Sequence, residues 1–483
     1  MFKKSWALII FTIFLLLALT VSFLFIRPGK IAKDYNVIIV SIDSLRADHL
    51  GSYGYSRSTS INIDEFASNA ILFENATTQG GWTIPSYVSL FTSTYPSTHG
   101  VSSQKSNISE KQKMLAEILK GYGYETVAFA ENPGVDPIIG FDRGFDAYHF
   151  RLNENHTYQD LKINWTKFEM TDIKNFLKEM GNEKFFLFIQ LESVHSPYLP
   201  NAPYDALFDP DYNGSMPTTE DFYKIYYGLC ESDKKLCRAS LESLFWLLAD
   251  NQPSSLISEY MGNRGQISYI QHLRDNKIKV YNHDHIIALY DGAIREVDDF
   301  FGEFLKELER DNLMNKTIVI FTSDHGEEFY EHGGYIHSGG HVEITHVPLI
   351  IKYPGMPETG LRIGTDAKLI DVMPTIFNIL NLSVDENIEE QMQGRSLVPV
   401  IENRETTAER DVFSESNILG SFKKSITSGK WKLIHDMKTG NSELYNLEED
   451  PGEQHNVIDK YPEIAGDLKK RLFSFIMGKG NNS

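Results

Sequence analysis

The chain has few cysteines and a shortage of basic charge. Only 2 cysteines occur among its 483 residues, which excludes a disulfide scaffold, a four-cysteine zinc site and an iron–sulfur cluster. The 46 basic side chains are outnumbered by 66 acidic ones, and the formal net charge is −20. A surface of that sign repels polyanions, and the sequence contains no local basic stripe, so we expect no nucleic-acid partner.

Apolar residues make up 41% of the chain and charged residues 23%, a composition typical of folded globular proteins. The length allows about two to four domains of ordinary size, or one large α/β domain with additions. The chain therefore has enough apolar residues for a sizeable core.

Residues 6–26 form an apolar run without charged side chains, preceded by Lys3 and Lys4. A helix over this run would be about 31 Å long, close to the thickness of a bilayer core. The run exceeds the apolar core of a cleavable signal peptide, and no small-residue cleavage site follows it. We therefore expect residues 1–30 to be an uncleaved membrane anchor and the protein to lie at the cell membrane with one span. The catalytic part is expected outside the cytoplasm, although basic residues after the run weaken the charge asymmetry that sets orientation.

Downstream of this run, short β-branched segments alternate with segments of helical periodicity. Five continuous apolar runs, typical of strands buried in a parallel sheet, are predicted as strands at 36–42, 125–130, 185–190, 316–322 and 347–353. Between the third and the fourth run, apolar side chains recur every three or four residues from Tyr290 to Leu308, which predicts an amphipathic helix. Near the C-terminus the pattern predicts a strand at 430–435 and a final helix over 462–475. The fold class is therefore predicted to be α/β with a mainly parallel sheet.

Two stretches depart from this pattern. Residues 205–280 are polar and irregular, and are predicted to be an insertion in a catalytic domain that spans residues 31–382. Cys230 and Cys237 lie within it, and their spacing is equally compatible with a small-loop disulfide and with two free thiols. Residues 383–483 are predicted to form a C-terminal subdomain.

Polar side chains directly follow two of the predicted strands. Asp43 comes after the first, and Asp324 and His325 come after the fourth. Ligands of open α/β sheets bind beyond the carboxyl ends of strands, and two carboxylates with an imidazole form a suitable set of metal ligands. Each residue also has a structural alternative, with Asp43 as a turn or cap residue and His325 as a hydrogen-bonded loop histidine.

Thr83 stands two residues before Pro85, and proline is favoured in the first turn of a helix. The segment up to Thr92 continues as a predicted helix. The Thr83 hydroxyl is therefore expected at a helix N-terminus, where free N–H groups and the helix dipole favour an anion. A hydroxyl in this position is either a helix cap or a nucleophile, and the local sequence leaves both open.

Six segments together resemble the sulfatase family of the alkaline phosphatase superfamily. They occur in the order of the family motifs and include WTIPS at 82–86, VHSPY at 194–198 and TSDHGE at 322–327. The others lie at 39–54, 144–146 and 443–456. The resemblance covers most of the chain, and it implies a large mixed, mainly parallel sheet flanked by helices, with a smaller C-terminal antiparallel subdomain.

The resemblance also implies a role for each matching residue. Asp43, Asp324 and His325 would bind a metal ion. Thr83 would join them, since it occupies the position of the family's nucleophile. His195 matches the histidine that contacts the transferred oxyanion.

Three further residues stand where the family usually has others. His337 falls where many sulfatases carry a lysine, and it is predicted as a catalytic residue. His341 is a competing candidate for the same position and a predicted substrate contact. Asn132 lies near the place of a missing lysine and histidine after the second strand, and is also predicted to contact the substrate.

The nucleophile position departs most clearly from true sulfatases. These need a cysteine or serine that is oxidised to formylglycine, and threonine cannot yield that aldehyde. Ser44 and Tyr87 replace a metal-binding aspartate and an arginine that supports the formylglycine. In these departures the chain resembles the phosphotransferase branch, such as lipoteichoic acid synthase and phosphoethanolamine transferases, where threonine is the nucleophile.

These features predict a metal-dependent hydrolase or transferase that uses Thr83 on phosphoric esters, bound to the membrane through residues 6–26. The alternatives are a sulfuric ester hydrolase with an atypical nucleophile and an inactive relative that only binds ligands. One imidazole among oxygen ligands favours Mn²⁺ or Zn²⁺ as the single divalent cation, with Mg²⁺ and Ca²⁺ as alternatives. A second metal site built from His332, His337 and His341 is a further alternative. The substrate is expected to be an anionic ester, including lipid- and glycan-linked ones.

Overall fold

The computed structural model describes most of the chain from residue 32 to residue 478. The described residues are 32–102, 106–150, 170–181, 183–213, 283–333, 335–337, 339–403, 410–418 and 421–478. The apolar run at 6–26, Cys230 and Cys237 lie outside them, as does most of the insertion predicted at 205–280.

The predicted single-pass location at the cell membrane is not supported. Within the ranges given above, no helix is both long enough and apolar enough to cross a bilayer. The longest helix there, His283–Arg310, has 28 residues but carries charged side chains along its length. The prediction of a membrane-spanning protein is corrected accordingly.

The strands of the described residues belong to one large sheet and three smaller ones. In chain order they are β1 (Asn36–Ile42), β2 (Ile71–Phe73), β3 (Ala76–Thr77), β4 (Glu125–Ala130), β5 (Ala147–Phe150), β6 (Phe185–Leu191), β7 (Thr317–Ser323), β8 (Glu328–Phe329), β9 (Tyr335–Ile336), β10 (Leu349–Lys352), β11 (Leu361–Ile363), β12 (Ala367–Lys368), β13 (Val412–Ile418), β14 (Ser421–Ser428), β15 (Trp431–Asp436) and β16 (Ser442–Asn446).

The large sheet has eight strands in the order β11–β2–β10–β7–β1–β6–β4–β5. β1 pairs in parallel with β6 and β7, and β4 pairs in parallel with β5 and β6. β10 runs antiparallel to both of its neighbours, β7 and β2. The sheet is therefore mixed and mainly parallel, which confirms the predicted fold class.

Helices cover both faces of this sheet. The α-helices are α1 (Ile61–Ser68), α2 (Thr83–Thr92), α3 (Pro96–His99), α4 (Leu115–Gly121), α5 (Met170–Met180), α6 (His283–Arg310), α7 (Val342–Thr345), α8 (Val372–Leu380), α9 (Glu386–Gln391), α10 (Val398–Ile401) and α11 (Pro462–Gly478). α1, α5 and α6 pack on one face of the sheet, and α2, α4 and α8 pack on the other. The predicted amphipathic helix is the centre of α6.

β1 lies between the two helical layers, and its sequence suits that place. All of its residues are buried. Val37 and Ile39 point to the core that contains α2, while Ile38, Val40 and Ile42 point to the core that contains α6. Full burial of one such side chain contributes about 1.5–3 kcal/mol. Both layers therefore hold β1 in the middle of the sheet and position the residues that follow it.

A four-stranded antiparallel sheet of β13, β14, β15 and β16 forms the C-terminal part, as predicted. One face of it, which includes Ile426 and Leu433, packs on α11. Backbone hydrogen bonds join its first strand to the segment before α2. The Gly81 N–H donates to the Glu415 carbonyl over 3.3 Å, and the Glu415 N–H donates to the Gln79 carbonyl over 2.9 Å. The C-terminal sheet therefore braces the start of α2.

Candidate active site

The carboxyl ends of β1 and β7 bring three predicted ligands together. The two strands are parallel neighbours, and Asp43 and Asp324 are the first residues after them. The side chains of Asp43, Asp324 and His325 are fully buried, and one ligand atom from each lies within 4.8 Å of the others. Nε2 of His325 is 3.7 Å from Oδ1 of Asp43 and 3.4 Å from Oδ2 of Asp324.

Asp324 presents only one of its oxygens to this cluster. Its Oδ1 accepts hydrogen bonds from the backbone N–H groups of Ser44, at 3.2 Å, and His325, at 2.9 Å. Its Oδ2 is buried and has no hydrogen-bond partner among the described residues. A buried carboxylate oxygen without a partner is costly, and a bound cation would remove that cost.

His325 and Thr83 complete the cluster. Nδ1–H of His325 donates to the Gly326 carbonyl over 2.8 Å, which leaves the Nε2 lone pair directed at the carboxylates. The Thr83 hydroxyl donates to this Nε2 over 3.3 Å. Thr83 is the first residue of α2, whose cap residue is Trp82. The alternative in which the Thr83 hydroxyl caps the helix is therefore not what the structure shows.

Two further imidazoles lie beside His325. The ring centroid of His337 is 4.6 Å from that of His325, and the centroid of His195 is 5.3 Å from that of His337. Nδ1–H of His195 donates to the Ser196 carbonyl over 2.5 Å. Nδ1 of His337 lies 3.4 Å from Oε1 of Glu327. The structure thus places both predicted catalytic histidines beside the cluster of predicted metal ligands.

His341 lies in a different cluster. Its Nε2 is 3.0 Å from Oε2 of Glu443, a residue of β16, and its ring stacks on His332 with centroids 3.7 Å apart and planes 4° from parallel. His337 and His341 were the two candidates for the position where many sulfatases carry a lysine. Of these two, His337 is the one that lies beside His325. The role of His341 as a substrate contact stays a prediction.

The predicted second metal site has poor geometry. Glu328, His332 and His341 have ligand atoms within 4.8 Å of one another, but His337 is not part of this group. A metal ion lies in the plane of each imidazole that binds it, and two stacked rings cannot share one ion in this way. Burial lowers the pKa of His332, but the hydrogen bond to Glu343 outweighs burial and raises this pKa to about 9. Both ring nitrogens of His332 also have partners, since Nδ1 hydrogen bonds to Glu343 and Nε2 lies 2.8 Å from the Glu453 carbonyl oxygen.

Asn132 and Gln190 both hydrogen bond to Asp43. Nδ2–H of Asn132 donates to Oδ2 of Asp43 over 2.7 Å, and Nε2–H of Gln190 donates to the same oxygen over 3.2 Å. Asn132 thus contacts a predicted metal ligand, and its predicted contact with substrate remains untested. Gln190 was not expected from the sequence. Its only signal is a polar residue at the end of an otherwise apolar strand.

The electrostatics of the cluster favour a cation. Burial and the nearby Asp324 raise the pKa of Asp43 to about 7, and burial raises the pKa of Asp324 to about 7. Burial lowers the pKa of His325 to about 4, so its ring is neutral and able to bind a metal. The donors are two carboxylate oxygens, one imidazole nitrogen and one hydroxyl. This set fits a divalent cation.

Comparison with known proteins identifies the family. The sulfatase family model matches residues 35–382. The chain belongs to the sulfatase family. A second family model, N-sulphoglucosamine sulphohydrolase, C-terminal, matches residues 331–477 of the chain. These matches confirm the resemblance that the six motifs indicated.

Two curated relatives show the range of similarity. Arylsulfatase K of Rattus norvegicus is 30% identical over 246 residues, which cover 48% of the chain but only 40% of the relative. The chain thus spans less than half the length of this relative. N-acetylglucosamine-6-O-sulfatase of Bacteroides thetaiotaomicron is 23% identical over 476 residues, which cover 89% of the chain and 83% of the relative.

Solved structures have the same fold. The protein BT4656, solved with its substrate D-glucosamine-2-N,6-O-disulfate, matches with a TM-score of 0.69 and 19% identity over 93% of the chain and 99% of that structure. The phosphonate monoester hydrolase of Agrobacterium radiobacter matches with a TM-score of 0.68 and 20% identity over 92% and 96%. At these identities the likeness establishes the fold.

Proposed function

We propose that this sulfatase-family protein is a metal-dependent ester hydrolase or transferase that uses Thr83 as its nucleophile and prefers phosphoric to sulfuric esters. The observation that carries the proposal is the Thr83 hydroxyl, 3.3 Å from the metal-facing nitrogen of His325 at the start of α2. The named relatives are sulfatases and a phosphonate monoester hydrolase, which supports esters of sulfur or phosphorus acids as the substrate class.

The residues around Thr83 support the preference for phosphoric esters. An unmodified threonine cannot become the aldehyde on which sulfatases rely. Tyr87, at the position of the supporting arginine, is buried and donates its hydroxyl to Ser41 over 2.9 Å. Ser44, at the position of a metal-binding aspartate, donates its hydroxyl to Asp43 over 3.0 Å. Neither position supplies the charge that a formylglycine site needs.

Asp43, Asp324, His325 and Thr83 would hold one divalent cation, for which we favour Mn²⁺ or Zn²⁺. When bound, the cation supplies positive charge that lowers the pKa of the Thr83 hydroxyl and neutralises the ester oxygens. The carboxylates keep their places through the hydrogen bonds described above. The buried first turn of α2 adds N–H groups and the positive end of the helix dipole.

The proposed reaction has two steps. Oγ of Thr83, whose proton passes to solvent, attacks phosphorus, the bond to the leaving alcohol breaks, and the phosphoryl group passes to Thr83. His195 hydrogen bonds to the phosphoryl oxygens, while Nε2–H of His337 protonates the leaving oxygen. Burial, and then the nearby His195, hold the pKa of His337 well below its usual value, so we expect His337 to take up its proton together with the anionic ester. Water or a second alcohol then attacks phosphorus and gives its proton to Nε2 of His337, the bond between phosphorus and Oγ of Thr83 breaks, and the Thr83 oxygen takes up a proton from solvent.

A sulfuric ester hydrolase with an atypical nucleophile is the second candidate. It is favoured by the C-terminal match over 331–477 and by the sulfatases among the relatives. Both candidates act on anionic esters, and the relatives that are named for sulfated sugars make glycan-linked esters a suitable class to test beside lipid-linked ones.

A substrate screen tests the proposal. The purified chain is first freed of metal with a chelator and then supplied with Mn²⁺, Zn²⁺, Mg²⁺ or Ca²⁺. Turnover is measured on a phosphate monoester, a phosphate diester, a phosphonate monoester and a sulfate ester with the same leaving group. We expect metal-dependent cleavage of phosphorus esters. Faster cleavage of the sulfate ester would instead support the second candidate.

A further inference from the structure

The two oxygens of Asp43 have different surroundings. Oδ2 accepts two N–H hydrogen bonds, from Asn132 at 2.7 Å and from Gln190 at 3.2 Å. Oδ1 accepts only the Ser44 hydroxyl among the described residues and faces Nε2 of His325 at 3.7 Å. One oxygen is therefore held by protein amides, and the other is directed at the ligand cluster.

Gln190 cannot turn its amide around. It is fully buried at the end of β6, beside β1. Its Oε1 accepts the backbone N–H groups of Glu131 and Asn132, both over 2.8 Å. Because those two donors need an oxygen, the NH₂ group of Gln190 must point at Asp43.

Asn132 is fixed in the same way. Its Oδ1 accepts the Gly134 N–H over 2.5 Å, so its NH₂ group points at Asp43. A side chain at Gly134 would meet Cγ2 of Thr83 at 2.7 Å and Oδ1 of Asn132 at 2.9 Å. The loop after β4 is thus packed closely between the nucleophile and the metal ligand.

We propose that Gln190 and Asn132 are positioning residues that restrict Asp43 to one-oxygen coordination and thereby select a small divalent cation over Ca²⁺. This inference rests on the metal site of the proposed function. Asp324 has the same restriction, since its Oδ1 is held by two backbone N–H groups. Ca²⁺ takes about 6–8 oxygen ligands and often binds carboxylates through both oxygens, whereas Zn²⁺ and Mg²⁺ accept fewer or singly bound ligands.

The variant Gln190→Met tests the inference, because methionine matches the size of glutamine and removes its N–H donor to Asp43. The dissociation constants of Mn²⁺ and Ca²⁺ are measured by calorimetry on the metal-free full chain. We expect Mn²⁺ affinity to fall by about 10–100-fold, the usual effect of losing a partner that orients a metal ligand. In this variant Oδ2 of Asp43 keeps only the Asn132 N–H and can offer its other lone pair to Ca²⁺, so the preference for Mn²⁺ over Ca²⁺ shrinks by at least about 10-fold.

Gln79→Met is the matched control. Gln79 is equally buried, and its amide also bonds to backbone, accepting from the Ile370 N–H at 3.1 Å and donating to the Thr77 carbonyl at 2.9 Å. It does not contact Asp43, so its loss should leave the ratio of the two affinities unchanged. General loosening of the fold would affect both variants alike.

The outcomes separate this inference from the proposed function. If the wild-type chain binds neither cation, the metal-dependent function itself is wrong. If the wild type binds Mn²⁺ and Gln190→Met keeps the same preference, the positioning role is wrong and the function stands. If Gln190→Met does not fold, Asn132→Ala decides the question, because it removes the other donor to Asp43 and is expected to shrink the preference in the same direction.

Discussion

Thr83 carries the proposed chemistry through one oxygen atom. Thr83→Ala should reduce kcat by at least about 10³-fold, because it removes the covalent route and leaves only binding and electrostatic assistance. Thr83→Ser keeps the attacking oxygen and should retain measurable turnover. Steady-state kinetics on the best phosphorus ester measure both effects. Calorimetry serves as the control, since Asp43, Asp324 and His325 should still bind the cation in Thr83→Ala.

Full turnover in Thr83→Ala would contradict a covalent role for this hydroxyl. The inactive, binding-only alternative makes a different prediction. It requires that the wild type and both Thr83 variants be equally inactive on every ester while they still bind the cation.

Matched substitutions of His337 and His341 test which of the two histidines protonates the leaving oxygen. His337→Gln should lower kcat by about 10²–10⁴-fold, the usual contribution of general acid catalysis. His341→Gln should leave kcat near the wild-type value, because His341 contacts Glu443 and His332 and lies outside the rings around His325. Kinetics on an ester with a poor leaving group measure the difference best. A larger loss in His341→Gln would reverse the assignment.

Whether a site residue could be predicted from the sequence depended on its position relative to the strands. Asp43, Asp324 and His325 follow strands whose apolar sequence is evident, so their meeting could be predicted from strand ends. Gln190 could not, because it lies inside β6 and its partner Asp43 follows a different strand, β1. A polar residue near the end of an apolar strand has many ordinary roles, and only the strand order shows which side chain it faces.

At the element scale, the contact between β13 and the start of α2 depends on a glycine. A Cβ on Gly81 would lie 2.5 Å from Oγ and 2.6 Å from Cβ of Ser416. Gly81→Ala should therefore push β13 from α2, cost about 1–3 kcal/mol of stability as other overpacking changes do, and lower kcat by displacing Thr83. Urea unfolding and steady-state kinetics measure the two effects.

Gly466→Ala is the control for this change. Gly466 is exposed in α11, and a Cβ there would meet nothing within 4 Å. This substitution should raise stability by about 0.5–1 kcal/mol, because alanine loses less backbone freedom in a helix than glycine does. If Gly81→Ala behaved like Gly466→Ala, the close packing of β13 on the start of α2 would be disproved.

The strands differed in how well their ends could be predicted. The runs at 36–42 and 125–130 match β1 and β4 to the residue, because both strands are almost entirely buried and an acidic residue, Asp43 or Glu131, ends each apolar run. The run at 347–353 is longer than β10 (Leu349–Lys352). Val347 and Tyr353, which flank the strand, are also buried, and an apolar pattern cannot distinguish a buried loop from a strand.

At the scale of the whole molecule, the buried carboxyls link stability to pH. Burial raises the pKa of Asp43, Asp324 and Glu327 from ordinary values of 3.8, 3.8 and 4.5 to about 7. Between about pH 4 and pH 7 the metal-free folded chain then binds more protons than the unfolded chain, so this contribution to stability is lost as pH rises. A cation offsets the loss when the carboxyls are ionised.

The increase in Tm on adding Mn²⁺ should therefore be larger at pH 8 than at pH 5.5, where protons compete for the same oxygens. At 100 times the dissociation constant the expected stabilisation is about 2.7 kcal/mol. Thermal unfolding of the metal-free and metal-loaded chain at both pH values measures it. Asp324→Asn is the control and should show no increase. An equal increase at both pH values would show that these carboxyls are not the ligands.

The central place of β1 in the sheet also determines when the site can exist during synthesis. Both strands that flank β1 come later in the chain, and Thr83 and His325 are separated by 242 positions. At about 5–20 residues per second, a ribosome needs roughly 10–50 s to cover that interval. Until then a nascent chain contains Thr83 and Asp43 but lacks His325, the imidazole to which the Thr83 hydroxyl hydrogen bonds. If the proposed cation site is correct, a metal ion can assist maturation only after translation has passed Asp324 and His325.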